Sequence, residues 1–156
     1  MVCLNRLSWV VVLLLVAGFG ELARAAEPPS DLCSLLPSAT VSKTLGYAYD
    51  SPKSKVAPRP FRNTNEGTDC VYGSGMSRLL FRVYVDPSPS ASADLFAKLK
   101  SYFAEGSTTV SGVGDEAYLD KEHGLHVRKG KVRYFLDGAG TPKQKNDLAV
   151  GIAGQL

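Results

Sequence analysis

The chain predicts an α+β fold: an antiparallel sheet built from hairpins, with about three helices packed against it. Two observations carry this. Apolar residues recur at helical spacing in three separate stretches, and between them lie runs that alternate with period two around tight turns. The links inside those runs are short, which favours antiparallel pairing over parallel crossovers. The length of 156 residues suits one domain, and 44% hydrophobic with 21% charged residues is ordinary globular composition.

Leu35, Leu36, Val41 and Leu45 mark the first helix, with Pro37 suited to its first turn and Gly46 to its stop. Residues 47–69 hold several prolines and basic side chains with little periodicity, and read mainly as loop. Cys70-Val71-Tyr72, a Gly73-Ser74-Gly75 turn and Leu79 to Val85 then read as strand, turn and strand. Leu79, Phe81, Val83 and Val85 fall on one face, opposite Leu80, Arg82 and Tyr84.

After the breaker Asp86-Pro87-Ser88-Pro89, the residues Leu95, Phe96, Leu99, Tyr102 and Phe103 form a broad helical stripe, read as core packing. Thr108 to Val113 is a candidate extra strand. A hairpin turning at Lys129-Gly130 would pair Val127 with Val132 and Leu125 with Tyr134. Its other face would pair Arg128 with Lys131 and His126 with Arg133. Thr141-Pro142-Lys143-Gln144 is a capping box opening a last helix, with Leu148, Ala149, Ile152 and Leu156 as its buried stripe.

One segment has no place in the core. Residues 1–25 read as a cleaved signal peptide: Arg6, an apolar run of eleven residues from Trp9 to Phe19, then Ala23-Arg24-Ala25 as the small-x-small cleavage pattern. The run is shorter than the ~20 residues a spanning helix needs. Cleavage leaves residues 26–156 as a single domain, periplasmic or secreted, with no stable membrane insertion. Its two remaining cysteines, Cys33 and Cys70, then read as one structural disulfide, since an oxidising compartment pairs isolated thiols.

No catalytic or cofactor motif stands out. No Ser lies in a G-x-S-x-G elbow, and Gly112-Val113-Gly114 does not extend to a dinucleotide fingerprint. Asp115, Glu116, Asp120 and Glu122 precede His123 and His126, donors that could ligate a metal or exchange protons. Three residues apart in a strand, however, the two histidines would face opposite ways. These acids therefore read as solvated loop charge, with no metal and no cofactor assigned. The formal net charge of +3 is too small to suggest nucleic acid.

Three pieces occur together in order: Asp31-Leu32-Cys33-Ser34-Leu35-Leu36-Pro37 running to Leu45-Gly46; Cys70-Val71-Tyr72; and Gly112-Val113-Gly114-Asp115-Glu116-Ala117-Tyr118 leading to Leu125-His126-Val127-Arg128-Lys129-Gly130. This set resembles the small exported domains of unknown function common among actinobacterial cell-wall lipoproteins and also seen in proteobacteria. Those domains are similar to the Mog1/PsbP-like α+β fold. The resemblance implies that Cys33 pairs with Cys70 and that Gly114-Asp115-Glu116-Ala117 shapes a turn. It brings no catalytic residue. The chain departs from the family in lacking the lipobox Cys, which favours a free exported domain over a tethered one.

The expected function is therefore a non-catalytic binding or interaction module of the bacterial cell envelope, acting as a monomer. Its partner would be an envelope or host protein, or an anionic envelope component. The candidate contact surface is Arg82, Tyr84, His126, Arg128, Lys131 and Arg133, with Gly112, Gly114, Asp115, Glu116 and Gly130 as turn residues. The alternative is a small envelope hydrolase or metal-dependent enzyme built on Asp115, Glu116 and His123.

Overall fold

The computed structural model describes residues 27–156, so the proposed signal peptide lies outside the described residues. A 3-10 turn, Leu32–Leu35, leads into α1 (Ser38–Leu45). Strands β1 (Lys53–Ala57), β2 (Gly67–Tyr72) and β3 (Leu79–Val85) follow, then α2 (Pro89–Tyr102). The chain continues through β4 (Thr108–Val110), β5 (Glu116–Leu119), β6 (Leu125–Lys129) and β7 (Val132–Gly138), and ends with α3 (Pro142–Ala153). The fold class is α+β.

All seven strands form one antiparallel sheet in the order β1-β2-β3-β7-β6-β5-β4. Two meanders, β1 to β3 and β4 to β7, are joined along β3 and β7 at the centre. The second meander begins at the far edge and works back, so α2 must carry the chain from β3 across the sheet to β4. This crossing sets α2 over β6 and β7 on one face, and among the described residues no helix packs on the β1–β3 side of that face.

The other face is closed. Period-two alternation sends Cys70, Tyr72, Leu79, Phe81, Val83, Leu125, Val127, Tyr134 and Leu136 to it, all buried against Leu36, Val41 and Leu45 of the α1 region and Leu148 and Ile152 of α3. The two helices pack on each other as well as on the sheet. Two buried tyrosine hydroxyls on this face meet backbone carbonyls: Tyr134 Oη donates to Ala149 O of α3 at 2.7 Å, and Tyr72 Oη donates to Leu36 O, between the 3-10 turn and α1. The Cys33–Cys70 disulfide ties the 3-10 turn to β2 over a sequence separation of 37. Thr141 and Gln144 complete the capping box of α3, with Pro142 just inside the helix.

Several expectations need correction. Residues 47–69 are mainly loop, as expected, but they also hold the unforeseen β1 and the start of β2. β1 escapes pattern reading because Lys53, Ser54, Lys55 and Val56 are all exposed on an edge strand, so no burial alternates along it. Pro37 precedes α1 as its N-cap instead of standing in its first turn. Glu116 and Ala117 belong to β5, so the turn consists of residues 112–115 only.

The β6–β7 hairpin turns at Gly130-Lys131, one residue later than expected. Val127 pairs with Tyr134, His126 with Phe135, and Arg128 with Arg133. Gly130, at φ 55°, takes the first central position of the loop, where a type II′ turn needs a positive φ, and this moves the register. The slip totals two residues, so every side chain keeps its expected face.

Candidate functional site

The residues turned toward α2 are chemically unlike those on the closed face. β2 offers Asp69, β3 offers Leu80, Arg82 and Tyr84, and β7 offers Arg133, Phe135 and Asp137, while β6 offers His126 and Arg128 and β5 offers Tyr118. Of the three arginines in this row, Arg133 and Arg82 are each gripped by a single carboxylate. Arg133, 3% exposed, donates through Nε and Nη2 to Asp86 at 2.6 and 2.9 Å. Arg82 makes the same two-bond contact with Asp69, at 2.6 and 3.0 Å. The Arg133 guanidinium also lies 5.1 Å from the Tyr84 ring centre, and Tyr84 Oη donates to Pro58 O at 2.8 Å.

The other half of the row is aromatic. His126 lies between its strand neighbours, 4.5 Å from Tyr118 in a parallel stack and 4.3 Å from Phe135, with Phe103 at 5.3 Å. Its Nε2 meets Asp120 Oδ2 at 3.0 Å. A carboxylate only accepts, so Nε2 carries the proton and Nδ1 is left as an acceptor. Burial pulls the His126 pKa below its ordinary value, and the contact with Asp120 opposes that pull without overcoming it. Asp120 is fixed in turn: its Oδ1 accepts from the Glu122 and Gly124 amides at 2.9 and 2.8 Å.

The α2 stripe closes only part of this face. Ser92 and Phe96 are buried in it, Leu95 and Leu99 are half-buried, and Tyr102 and Phe103 remain 69% and 39% exposed. The expectation that the whole stripe packs as core is thus corrected. Phe96, Leu99 and Phe103 instead wall a cleft of about 290 Å³ whose floor includes Arg82, Tyr84, His126, Arg133 and Phe135. Pro58, Arg59 and Pro60 close one end, and Asp120, Glu122 and Asp137 the other. The volume is near the lower end for small-molecule sites, which combine apolar walls with a few convergent polar groups. Comparison with family models, curated proteins and solved structures returned no match.

Of the six candidate contact residues, Arg82, Tyr84, His126 and Arg133 line this one cleft. Arg128 is on the same face but turned away, donating to Glu116 and Asp115 at 2.9 and 3.0 Å. Lys131, in the hairpin turn, pairs with Glu27 at 3.3 Å. The turn residues act together. Gly130 N donates to Asp115 Oδ2 at 2.8 Å, and Asp115 N donates to Arg128 O at 2.8 Å. Burial pushes the Asp115 carboxyl up, but the Gly130 amide, Lys129 and Arg128 together outweigh it and hold the group below its usual value. Gly114, at φ 59°, lies against Arg128 O and the Val127 side chain, where no Cβ would fit. Gly112 also has positive φ, within the same bend.

Asp115, Glu116 and His123 do not come together. Asp115 and Glu116 lie at the Arg128 end of the β5–β6 ladder. His123 lies beyond its Leu119–Leu125 end, in a left-handed conformation at φ 65°. The intervening strand is roughly 13 Å long. Among the described residues no three His, Cys, Asp or Glu side chains are placed to share a metal ion.

Sequence reasoning found the cleft floor through period-two alternation in β3 and β6. It missed Asp69, Asp86, Phe135 and Asp137, together with the role of the α2 stripe, and it read Asp120 as solvated loop charge, whereas the side chain is buried against His126. Phe135 and Asp137 carried a local signal, since both fall in phase with Arg133. Asp86 reads as a strand breaker, and its partner lies 47 positions away.

Proposed function

We propose that the chain is an exported binding module of the bacterial cell envelope, periplasmic or secreted, whose ligand seat is the cleft between α2 and the β3-β7-β6 part of the sheet. One observation carries the reading: the apolar α2 stripe is left half-open over a fixed row of arginine, tyrosine and histidine. Core helices normally finish burying such a stripe, and surfaces do not usually expose one beside organised polar groups.

Export is supported by the pattern in residues 1–25, by the Cys33–Cys70 disulfide and by the resemblance to cell-wall domains. No helix among the described residues is long and apolar enough to cross a membrane. Binding is favoured over hydrolytic or metal chemistry at Asp115, Glu116 and His123 because β5 holds those groups at opposite ends. Arg128 and Lys129 already engage the two carboxylates.

The test is a fluorescence titration of the purified chain with N-phenyl-1-naphthylamine, an uncharged probe that brightens in apolar sites. One saturable site is expected, weakened at least tenfold by Leu99→Lys, a change at a half-exposed position in the cleft wall. Absence of saturable binding, or binding indifferent to Leu99→Lys, removes the cleft as the seat.

A further inference from the structure

Four buried side-chain polar atoms among the described residues have no hydrogen-bond partner, and three belong to the α2 side of the sheet: Arg133 Nη1, Tyr118 Oη and Ser92 Oγ. The fourth, Asn146 Oδ1, is on α3. Each of the first three can donate, and a guanidinium nitrogen can do nothing else. What this region lacks is therefore an acceptor. A buried donor left unmatched is costly, so an incoming oxygen acceptor is favoured there. Arg133 lines the cleft, and Tyr118 stacks on His126, which also lines it. Asp86 occupies the Nε and Nη2 edge of the guanidinium and leaves the two Nη1 hydrogens free.

Charge decides which end of a ligand goes where. Arg59 and Arg133 lie toward one end of the cleft and Asp120, Glu122 and Asp137 toward the other, with Arg82 between them, level with Phe135 and His126. Arg133 and Asp137 share β7, four residues and so roughly 13 Å apart. Arg133, Arg82 and Arg59 are already balanced by Asp86, Asp69 and Glu66, so what the arginine end offers an oxyanion is the unmatched Nη1 hydrogens, whereas the carboxylate end repels it. The wall between them is Leu99, Phe103, Phe135 and the His126 ring, which accepts an apolar body.

Building on the binding reading above, we infer that the cleft takes a small organic oxyanion, with its charged oxygens on Arg133 Nη1 and its apolar ring or chain along Leu99, Phe103 and Phe135. Nη1 is shut off from bulk water, so binding there requires the cleft to open at that atom. Asp86 is a positioning residue: it holds the guanidinium flat beneath the cleft and presents the free edge.

Two probes of matched shape separate this from simple apolar binding. 8-Anilinonaphthalene-1-sulfonate carries a sulfonate, whereas N-phenyl-1-naphthylamine has the same rings without it. Both should bind the wild-type chain at one site. In the double variant Asp86→Asn, Arg133→Gln, with its fold checked by near-ultraviolet circular dichroism, sulfonate affinity should fall at least tenfold. The uncharged probe should stay within twofold. Should that variant not fold, Arg133→Lys carries the same test, since it keeps a positive charge facing Asp86 and removes the fork. Uncharged binding without sulfonate binding, or a sulfonate affinity that both variants leave unchanged, overturns the oxyanion and leaves the binding module standing; the orphaned donors would then serve an internal water. Failure of both probes on the wild type overturns the two proposals together.

Discussion

The two faces of the sheet use the same strands and do opposite things with them. On the face toward α1 and α3, alternate residues are almost all apolar, and its buried tyrosine hydroxyls meet backbone carbonyls. On the face toward α2, the intervening residues include Arg82, Arg133, His126, Asp69 and Asp137, and one helix covers part of the area. Burial stabilises the first face without specifying much beyond shape. The second spends stability on fixed charges in a water-poor setting, where a ligand can feel them. Such a division predicts that damage to the first face unfolds the chain, whereas damage to the second changes what it binds.

The largest effect belongs to the staple of the closed face. Replacing Cys33 and Cys70 together with Ser should lower stability by about 4 kcal/mol, the chain-entropy value for a loop of this length. Chemical denaturation of the two proteins measures it, and a loss below ~1 kcal/mol would mean the bridge is incidental to the fold. Next comes Phe81→Ala on β3, fully buried in that core, which should cost roughly 3–5 kcal/mol. Phe135→Ala, half-buried on the cleft side, should cost clearly less and should instead weaken binding of the uncharged probe. Equal costs at the two positions would erase the distinction between the faces.

The buried ion pair sharpens the comparison in a different way. Arg133→Ala leaves Asp86 as an uncompensated charge and should cost roughly 3–5 kcal/mol. Converting both partners to apolar residues of similar size, Asp86→Leu with Arg133→Met, should recover most of that loss or exceed wild-type stability. A pair retained for stability would show no recovery. Recovery of stability without recovery of oxyanion binding would place the pair's purpose in the cleft.

What the sequence made legible follows the same division. β3 was readable because both of its faces are buried and sorted, with Leu79, Phe81 and Val83 against Leu80, Arg82 and Tyr84. The hairpin register was off by two and still put Arg133 and His126 on one side, since face depends on parity alone. β1 was hidden because an edge strand with exposed lysines has nothing to alternate against. β5 was hidden because its four residues follow a glycine-rich bend. The α2 stripe was visible as apolar, but periodicity cannot say whether a neighbour covers it. That depends on where β4 lies, and therefore on topology.

The smallest expected effect reports on the cleft most directly. His126 is buried between Tyr118 and Phe135, and its folded-state pKa lies below the ordinary value near 6.5. Its unfolded form therefore takes up a proton first as pH falls. Stability contributed by keeping the ring neutral is complete above about 6.5, declines as pH drops from there toward the lower folded value, and levels off beneath it. Asp120 opposes the shift through the bond to Nε2, and Asp137 adds a weaker pull in the same direction. Asp120→Asn retains an oxygen for the Glu122 and Gly124 amides but loses the charge facing the ring. The imidazole should then titrate at still lower pH, with thermal stability at pH 7 changed by only a few degrees. Nuclear magnetic resonance of the His126 ring protons across pH 4 to 8 measures both proteins. An upward movement in the variant would mean that burial is not what holds His126 neutral, and that the ring faces water more than its two aromatic neighbours imply.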